Sequence, residues 1–311
     1  MNQKSFTLIE ILIVIVVIGT LSAFVLVGTS SISENASITK SRVFSNSLEN
    51  SLLTSRVSQL KFNEGTGSTV QDSWLTNNFT FPGGTDNPDW VFFPDCISQS
   101  CLHFDAALNQ YLIRQNFQTD IKDGFTIEGF INVESMYDNG GQILEYGWPP
   151  GDTSLPRQEI SAYYGNSGGY EFIEIEWAQY DATNHIYAVY CTLENEIFPL
   201  NKWTHFVMSI NPSGGIGRIY LNGQKKQVTN YLYGGTVPSN FYSLMNYDML
   251  IGYGLDGMVD EIKIYNYDVP QAKIQQNYYS GLNNLLSKDL LDEEEYVESV
   301  FQLKQSISVK P

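Results

Sequence analysis

The segment "YEFIEIEWAQY" at residues 170–180 carries two carboxylates whose spacing suits acid–base chemistry. Glu174 and Glu176 are two residues apart, so on a β-strand they point to the same face, with Cα atoms roughly 6.5 Å apart. Carboxyl groups separated by about 5 to 9 Å are the pair that glycoside hydrolysis uses. The same pattern is also typical of an acidic stripe that faces solvent, so the spacing alone leaves both interpretations open.

Aromatic side chains near predicted turns are candidates for stacking against sugar rings, because flat apolar faces can be exposed there. The best such segment is "YGWPPGD", since its prolines rigidify the loop that carries Trp148. The other candidates precede "GNSGG" or lie in the acidic segment, and they are Tyr163, Tyr164, Trp177 and Tyr180. The alternative for each of these residues is a position in the hydrophobic core.

The cysteines predict one short covalent loop. Cys96 and Cys101 are close in sequence and would form a disulfide in an oxidising compartment. Cys191 would then have no disulfide partner. Cys191 lies in the predicted strand "HIYAVYC" and is expected to be a buried free thiol. The three histidines have no spacing typical of a metal site.

The charge balance excludes some partners. The chain has 17 basic and 34 acidic residues among its 311, a formal net charge of −17. Nucleic acid and anionic lipid are therefore not expected to bind the soluble part, because phosphate partners need clustered lysine and arginine. Twenty tyrosines and 25 glycines indicate a β-rich body with many turns.

Short β segments are predicted between Gln59 and Ile264, each with period-two alternation and bounded by turn residues. The clearest are "GFTIEGFINV", "YEFIEIEWA", "HIYAVYC", "WTHFVMSI", "GRIYLNG" and "GMVDEIKIYN". This pattern predicts a two-sheet antiparallel sandwich within an α+β chain. A short helix is expected between Pro270 and Gly281, and the acidic tail at 284–311 is expected to be a solvated or weakly docked helix.

The N-terminal region predicts one long helix through Arg56. After a polar leader at 1–5, the run 6–27 has no charge except Glu10 and spans roughly 33 Å as a helix, enough to cross a hydrocarbon core. Residues 28–56 keep helical spacing but become polar, which predicts an amphipathic second half. A carboxylate at mid-bilayer costs roughly 2.5 to 3.5 kcal/mol, so Glu10 is expected to have a partner or a function.

The segment "SFTLIEILIVIVVIGTLSAF" resembles the N-terminal signature of type IV pilins and of type II secretion pseudopilins. The resemblance implies that a prepilin peptidase cuts between Ser5 and Phe6, and that the new amine of Phe6 is methylated. The family prefers glycine before the cut, where this chain has serine. Glu10 would stay in the membrane helix, and its pairing with a neighbouring subunit's amine would fix helix register during assembly.

Segments between Val57 and Gly281 resemble successive landmarks of laminin G-like, concanavalin A-like jelly-roll domains. They include "CISQSCLHFDAALNQYL", "IYLNGQ" and "GMVDEIKIYNYDVPQAKIQQNYYSG". The resemblance implies a jelly roll over 57–283, and this fold hosts lectins, adhesion modules and glucanases alike. Laminarinase-type glucanases of the fold carry three acids at alternate strand positions, and the first of these positions is Phe172 here. That difference favours the acidic stripe over a catalytic pair.

The same resemblance implies a structural calcium ion. The matching positions are Asp72, Asp105 and Asp260, with Glu261 as an alternate. Calcium takes six to eight oxygen ligands, and "FDAALNQ" lacks acids that the family has after "FDG". The alternative is a set of aspartates that cap turns.

Together the patterns predict a structural and adhesive filament subunit that is not an enzyme. It would be a single-pass membrane protein before assembly and part of an extracellular filament or the cell surface afterwards. Its partners would be the prepilin peptidase, other pilin subunits and a glycan or protein ligand. The alternatives are a minor pilin or secretion pseudopilin, and a membrane-anchored glycoside hydrolase that uses Glu174 and Glu176.

Overall fold

The computed structural model describes Ile15, which is helical, and the ranges 55–136, 140–147, 157–167, 169–180, 185–237, 244–288 and 291–308. The chain divides into two compact units, Met1–Ser51 and Leu52–Pro311. Ser5, Phe6, Glu10 and Trp148 lie outside the described residues. Within the described ranges, no helix combines the length and the hydropathy that crossing a bilayer requires.

The strands of the second unit begin at Arg56. In chain order they are β1 (Arg56–Leu60), β2 (Thr69–Val70), β3 (Phe79–Thr80), β4 (Asp89–Phe92), β5 (Ser100–Phe104), β6 (Leu112–Asp120), β7 (Phe125–Val133), β8 (Gly140–Tyr146), β9 (Arg157–Ser167), β10 (Tyr170–Tyr180), β11 (His185–Glu194), β12 (Trp203–Asn211), β13 (Ile216–Leu221), β14 (Gln224–Lys225), β15 (Thr229–Tyr233), β16 (Leu244–Ile251) and β17 (Gly257–Tyr265). Helices α1 (Gln271–Ser287) and α2 (Glu293–Ser308) follow. The prediction that Arg56 ends the N-terminal helix is wrong, because Arg56 pairs with Tyr265 as part of β1.

The strands form two antiparallel sheets. The first has the order β14-β13-β12-β7-β17-β5-β4, with β1 also paired to β17. The second has the order β15-β11-β10-β9-β8-β16-β6-β3-β2. The six segments predicted from their alternation correspond to β7, β10, β11, β12, β13 and β17, so the predicted antiparallel sandwich is confirmed.

The core lies between the two sheets and is built by alternate strand positions. On β10, Ile173, Ile175 and Trp177 are fully buried. The sheets approach closely where β13 faces β11, since a Cβ atom at Gly217 would lie 2.2 Å from Cβ of Cys191. Alternation therefore gives the second sheet an apolar inner face and leaves Glu174 and Glu176 of β10 on its outer face.

Helix α1 packs against the outer face of the first sheet, where Tyr278 belongs to one buried cluster with Phe130 of β7. The helix begins directly after Pro270, as predicted. Its predicted end at Gly281 is wrong, because the helix continues to Ser287. A Cβ atom at Gly281 would lie 2.0 Å from Cζ of Phe130, so this glycine serves close packing rather than helix termination.

A buried polar network lies on the face that α1 covers. Glu128 accepts hydrogen bonds from His205 Nε2 at 3.1 Å and from Asn277 Nδ2 at 2.9 Å, and Lys263 Nζ lies 3.9 Å away. Burial by itself raises the pKa of Glu128, but Lys263 and the two donors outweigh it and lower the pKa to about 2. Burial also lowers the pKa of His205, so the neutral ring donates to the carboxylate and Lys263 supplies the opposite charge.

One face of helix α2 packs against the rest of the domain, and the opposite face is exposed to solvent. Tyr296 and Val300 pack against the cluster that α1 forms with the first sheet. Val297 and Phe301 are 64% and 52% exposed. This arrangement matches the weakly docked helix that the acidic tail predicts.

Candidate functional site

Two rows of side chains cross the outer face of the second sheet. The pairing of β8, β9, β10, β11 and β15 aligns the first row, which consists of Glu145, Ser161, Glu176, Tyr190 and Tyr231. The second row lies two residues away on β9, β10, β11 and β15 and three residues away on β8, where the register shifts. It consists of Gln142, Tyr163, Glu174, Thr192 and Thr229. Neighbouring strands lie about 4.8 Å apart, so adjacent members of a row contact each other.

Hydroxyl groups of neighbouring strands hold the carboxylates in place. Tyr163 donates a hydrogen bond to Oε1 of Glu174, and Thr192 donates one to Oε2. Ser161 Oγ donates to Oε2 of Glu145 at 2.8 Å. Glu174 is therefore held by both neighbouring strands, and Glu145 is held by Ser161 of β9.

Glu176 lies among other carboxyl groups. Burial, followed by the charges of Glu159 and Glu174 and a hydrogen bond with Glu159, raises the pKa of Glu176 to about 9. Glu176 consequently holds a proton at neutral pH and can donate it to the neighbouring carboxylate. Burial and nearby glutamates also raise the pKa of Tyr163, and they raise the pKa of Tyr190 to about 12. The outer face thus has a negative electrostatic potential.

An open cavity of about 350 Å³ lies beside Glu174, and we refer to it as the aromatic groove. Its lining residues are Tyr163, Ser167, Tyr170, Glu171, Phe172, Glu174, Thr192, Glu194 and Tyr231. Tyr170 is 70% exposed and Tyr231 is 54% exposed. The rings of Tyr163 and Phe172 meet edge to face with centroids 5.8 Å apart. A second cavity of about 270 Å³ shares Tyr163 and Phe172 with the groove.

Two larger cavities, of about 880 and 610 Å³, adjoin the helices and the first sheet. Trp203, Leu285 and Leu291 line both of them. Both cavities lie where α2 meets α1 and the first sheet. Their volumes therefore reflect incomplete packing beneath α2. At the outer face of the second sheet, by contrast, hydroxyl and carboxyl groups converge on Glu174.

Two of the predicted sugar-stacking residues lie in the core. Trp177 is 0% exposed and Tyr164 is 2% exposed. Trp177 packs against Tyr187 with ring centroids 5.4 Å apart, and Tyr164 packs against Phe198 at 5.6 Å. Both predictions are wrong, because strand alternation places these two residues on the inner face of the second sheet.

Two other predicted residues lie on the outer face. Tyr163 lines the aromatic groove. Tyr180 is half-buried and donates a hydrogen bond to Glu159 at 2.5 Å. Their contact with a ligand stays a prediction, and Trp148 lies outside the described residues.

The sequence interpretation missed Tyr170, Phe172 and Tyr231 as groove residues. Tyr170 and Phe172 precede Glu174 at alternate positions of β10, so the sequence did contain the signal that they share its face. Tyr231 comes from β15, and its place opposite Tyr190 depends on a strand pairing that no local pattern reveals.

Glu174 and Glu176 share one face, as their spacing predicts. The prediction of a solvent-facing stripe is wrong for Glu176, which is half-buried beside Glu159 of β9. Two carboxyl groups in hydrogen-bond contact can exchange a proton, as a proton donor and a proton acceptor do. This arrangement arises from the register of β9 and β10, which the spacing within one strand could not show.

The predicted calcium ligands serve separate local structures. Asp72 Oδ1 accepts backbone N–H groups of Gln59 and Trp74, each at 2.9 Å. Asp105 Oδ1 caps the turn at Ala107 at 2.8 Å. Asp260 accepts the N–H of Ser98 at 2.7 Å, and its neighbour Glu261 has a φ of 53°.

The contacts of Asp72 and Asp105 fit the alternative of aspartates that cap turns, whereas Asp260 is a buried residue of β17 that holds the distant loop at Ser98. Across the described ranges, no three His, Cys, Asp or Glu side chains lie close enough together to hold a metal ion. Calcium binding stays a prediction from the family resemblance alone.

The cysteine predictions agree with the structure. Cys96 and Cys101 form a disulfide with Cα atoms 5.5 Å apart. Cys191 is a buried free thiol, and burial raises its pKa to about 12. Its thiolate is therefore scarce at neutral pH, and it is a core residue rather than a reactive one.

Two protein families match different parts of the chain. A family model described as "Concanavalin A-like lectin/glucanases superfamily" matches residues 106–275, more than half of the 311 residues. The chain belongs to the concanavalin A-like lectin/glucanases superfamily. A second model, the prokaryotic N-terminal methylation motif, matches residues 1–26 and confirms the pilin-type resemblance. A search of curated proteins found no match.

Solved structures similar to this member of the superfamily have low sequence identity. A Trypanosoma rangeli sialidase in complex with 2,3-difluorosialic acid is 14% identical, with 72% of this chain and 33% of that chain covered and a TM-score of 0.45. The botulinum neurotoxin serotype D binding domain is 15% identical, with 76% and 53% covered and a TM-score of 0.50. The binding domain of Paraclostridial Mosquitocidal Protein 1 is 13% identical, with 75% and 53% covered and a TM-score of 0.49.

The chain thus spans about a third of the sialidase and about half of the two toxin domains. At these identities the likeness concerns the fold alone.

Proposed function

We propose that the protein is a pilin-like filament subunit whose concanavalin A-like domain binds glycans in the aromatic groove. The observation that carries the proposal is the groove itself, where exposed Tyr170 and Tyr231 flank a fixed carboxylate, Glu174. The methylation motif at the N-terminus supports the filament half of the proposal.

The groove has the chemistry that sugar recognition needs. Aromatic rings offer apolar faces to the C–H face of a pyranose, and carboxylates and hydroxyls accept or donate hydrogen bonds with its hydroxyl groups. Tyr163 and Thr192 already orient Glu174, so its remaining lone pairs are aimed without further loss of side-chain entropy. The position of the groove on the outer face of the second sheet leaves the first sheet to carry the helices.

Assembly would follow the pilin scheme. A prepilin peptidase would cut before Phe6, the new amine would be methylated, and the predicted helix that begins at Phe6 would pack with those of other subunits. The domain would then face the outside of the filament, where a glycan can reach the groove. A minor pilin or a secretion pseudopilin would be processed in the same way. The share of this protein among the subunits of purified filaments distinguishes a main subunit from these two alternatives.

The test is glycan binding by the full-length protein in detergent, measured on a glycan array. We expect Tyr170→Ala combined with Tyr231→Ala to lower binding at least tenfold, because both exposed ring faces are removed. The matched control is Tyr267→Ala, which removes a tyrosine that is 40% exposed and lies outside the groove. Equal binding by the double variant and the control would contradict the groove as the site.

A membrane-anchored glycoside hydrolase is the second candidate, and the protonated Glu176 beside Glu159 is the observation that favours it. Such a pair resembles the acid and base that glycoside hydrolysis needs. The measurement is release of reducing ends from β-glucans by the full-length protein. Turnover that disappears in Glu176→Gln would favour the hydrolase, and binding without turnover would favour the filament subunit.

A further inference from the structure

The aromatic groove is acidic at every charged position of its lining. Glu171 and Glu194 are exposed at its edge, and Glu174 lies on its floor. Its lining, as far as the structure describes it, includes no lysine or arginine. Tyr231, the exposed ring, has its hydroxyl 3.4 Å from Glu194 Oε1, so an aromatic face and a carboxylate stand side by side.

The negative potential extends along the sheet beyond the groove. Among the residues that the structure describes, the titratable groups that face Glu176 are Glu145 from β8, Glu159 and Tyr163 from β9, Glu174 and Tyr180 from β10 and Tyr190 from β11. These groups can accept a positive charge, and none of them supplies one. Lys226, which follows β14, has its Nζ 2.5 Å from Oε1 of Glu196.

The raised pKa of Glu176 supports a negative potential at the outer face of the second sheet. Burial and then neighbouring carboxylates raise the pKa of Glu176 to about 9, which means that a further negative charge here is unfavourable. An anionic sugar would add such a charge, whereas a protonated amine would reduce the repulsion. Aromatic rings next to carboxylates also suit ammonium groups, which are attracted to the faces of the rings.

We propose that the aromatic groove selects glycans that carry free amino groups over their acetylated and anionic counterparts. This inference rests on the proposed glycan-binding function and names the class of glycan. The ring faces of Tyr170 and Tyr231 would supply stacking that is common to all pyranoses. The carboxylates of Glu171, Glu174 and Glu194 would supply the preference for the ammonium group.

The experiment compares three probes on the full-length protein in detergent by isothermal titration calorimetry. The probes are the trimer of glucosamine, the trimer of N-acetylglucosamine and sialyllactose. We expect the free-amine trimer to bind at least tenfold more tightly than the acetylated trimer, and sialyllactose to bind most weakly. The preference should shrink at high salt, because exposed charge pairs are screened.

Variants separate charge from stacking. Glu171→Gln combined with Glu194→Gln changes two exposed side chains, so the fold is expected to be retained. This variant should lose most of the preference for the free amine while its affinity for the acetylated trimer stays within twofold. Glu174→Gln should do the same. Glu134→Gln, directly after β7 and outside the groove, is the control that should keep the preference.

The outcomes distinguish this inference from the function on which it rests. Equal affinity for the two trimers, or tightest binding of sialyllactose, would overturn the charge selection while glycan binding stands. Binding of none of the three probes, repeated across a glycan array, would overturn the proposed function and the inference with it.

Discussion

The surroundings of Glu176 strongly change the pKa of its carboxyl group. Burial and the carboxylates around it raise its pKa from the ordinary 4.5 to about 9. Between these two values the folded chain holds a proton that the unfolded chain has released. This contribution to stability is therefore complete below about pH 4.5 and is lost as the pH rises towards about 9.

Replacing this carboxyl group tests that linkage. Glu176→Gln cannot ionise, so we expect its melting temperature to fall less than that of the wild type between about pH 5 and pH 9. Thermal unfolding followed by circular dichroism over this range is the measurement. Glu171→Gln, an exposed change on the same strand, should follow the wild-type curve. Parallel curves for Glu176→Gln and the wild type would show that this carboxyl group is not the one that titrates.

Helix α1 depends on a single glycine for its distance from the first sheet. Alanine in a helix is favoured over glycine by about 1 kcal/mol, so Gly281→Ala would stabilise the helix if it were isolated. In the protein the new Cβ would lie 2.0 Å from Cζ of Phe130, which forces the helix or the ring to move. Overpacking of this kind costs about 1 to 3 kcal/mol, so we expect a net loss of stability in urea denaturation.

Ser280→Ala is the matched control in the same turn of α1, because Ser280 is exposed. Its effect should stay within about 0.5 kcal/mol of the wild type. A Gly281→Ala variant more stable than this control would mean that α1 sits further from the sheet than the structure indicates.

At the scale of the whole molecule, alternation within strands made most of the sandwich predictable. The periodicity of β7, β10 and β12 is local, so it can be read from the sequence without knowing the partners of each strand. The same alternation assigns Trp177 to the inner face with Ile175, and the wrong prediction for Trp177 ignored it. The prediction for Trp177 relied on its being an aromatic residue, although its position in the strand already indicated that it lies in the hydrophobic core.

Features that depend on distant strand pairing could not be predicted. Glu159 lies beside Glu176 because β9 and β10 pair in one particular register, and Tyr231 reaches the groove because β15 pairs with β11. Gly281 was interpreted as the end of a helix because its packing partner, Phe130, is distant in sequence. The acidic face and the close approach of α1 are therefore consequences of tertiary packing.

Filament assembly belongs to the whole molecule, and Glu10 is the residue on which the proposed assembly depends. After cleavage, the amine of Phe6 and the carboxylate of Glu10 would offset each other's burial cost in hydrocarbon and set the register of neighbouring helices. We expect Glu10→Val to enter the membrane normally, because it makes the run 6–27 more apolar, yet to give few or no filaments. Immunoblots of membrane fractions and electron microscopy of sheared filaments measure the two effects, with Glu34→Gln in the polar half as the control. Wild-type filament numbers from Glu10→Val cells would remove this pairing from the assembly mechanism.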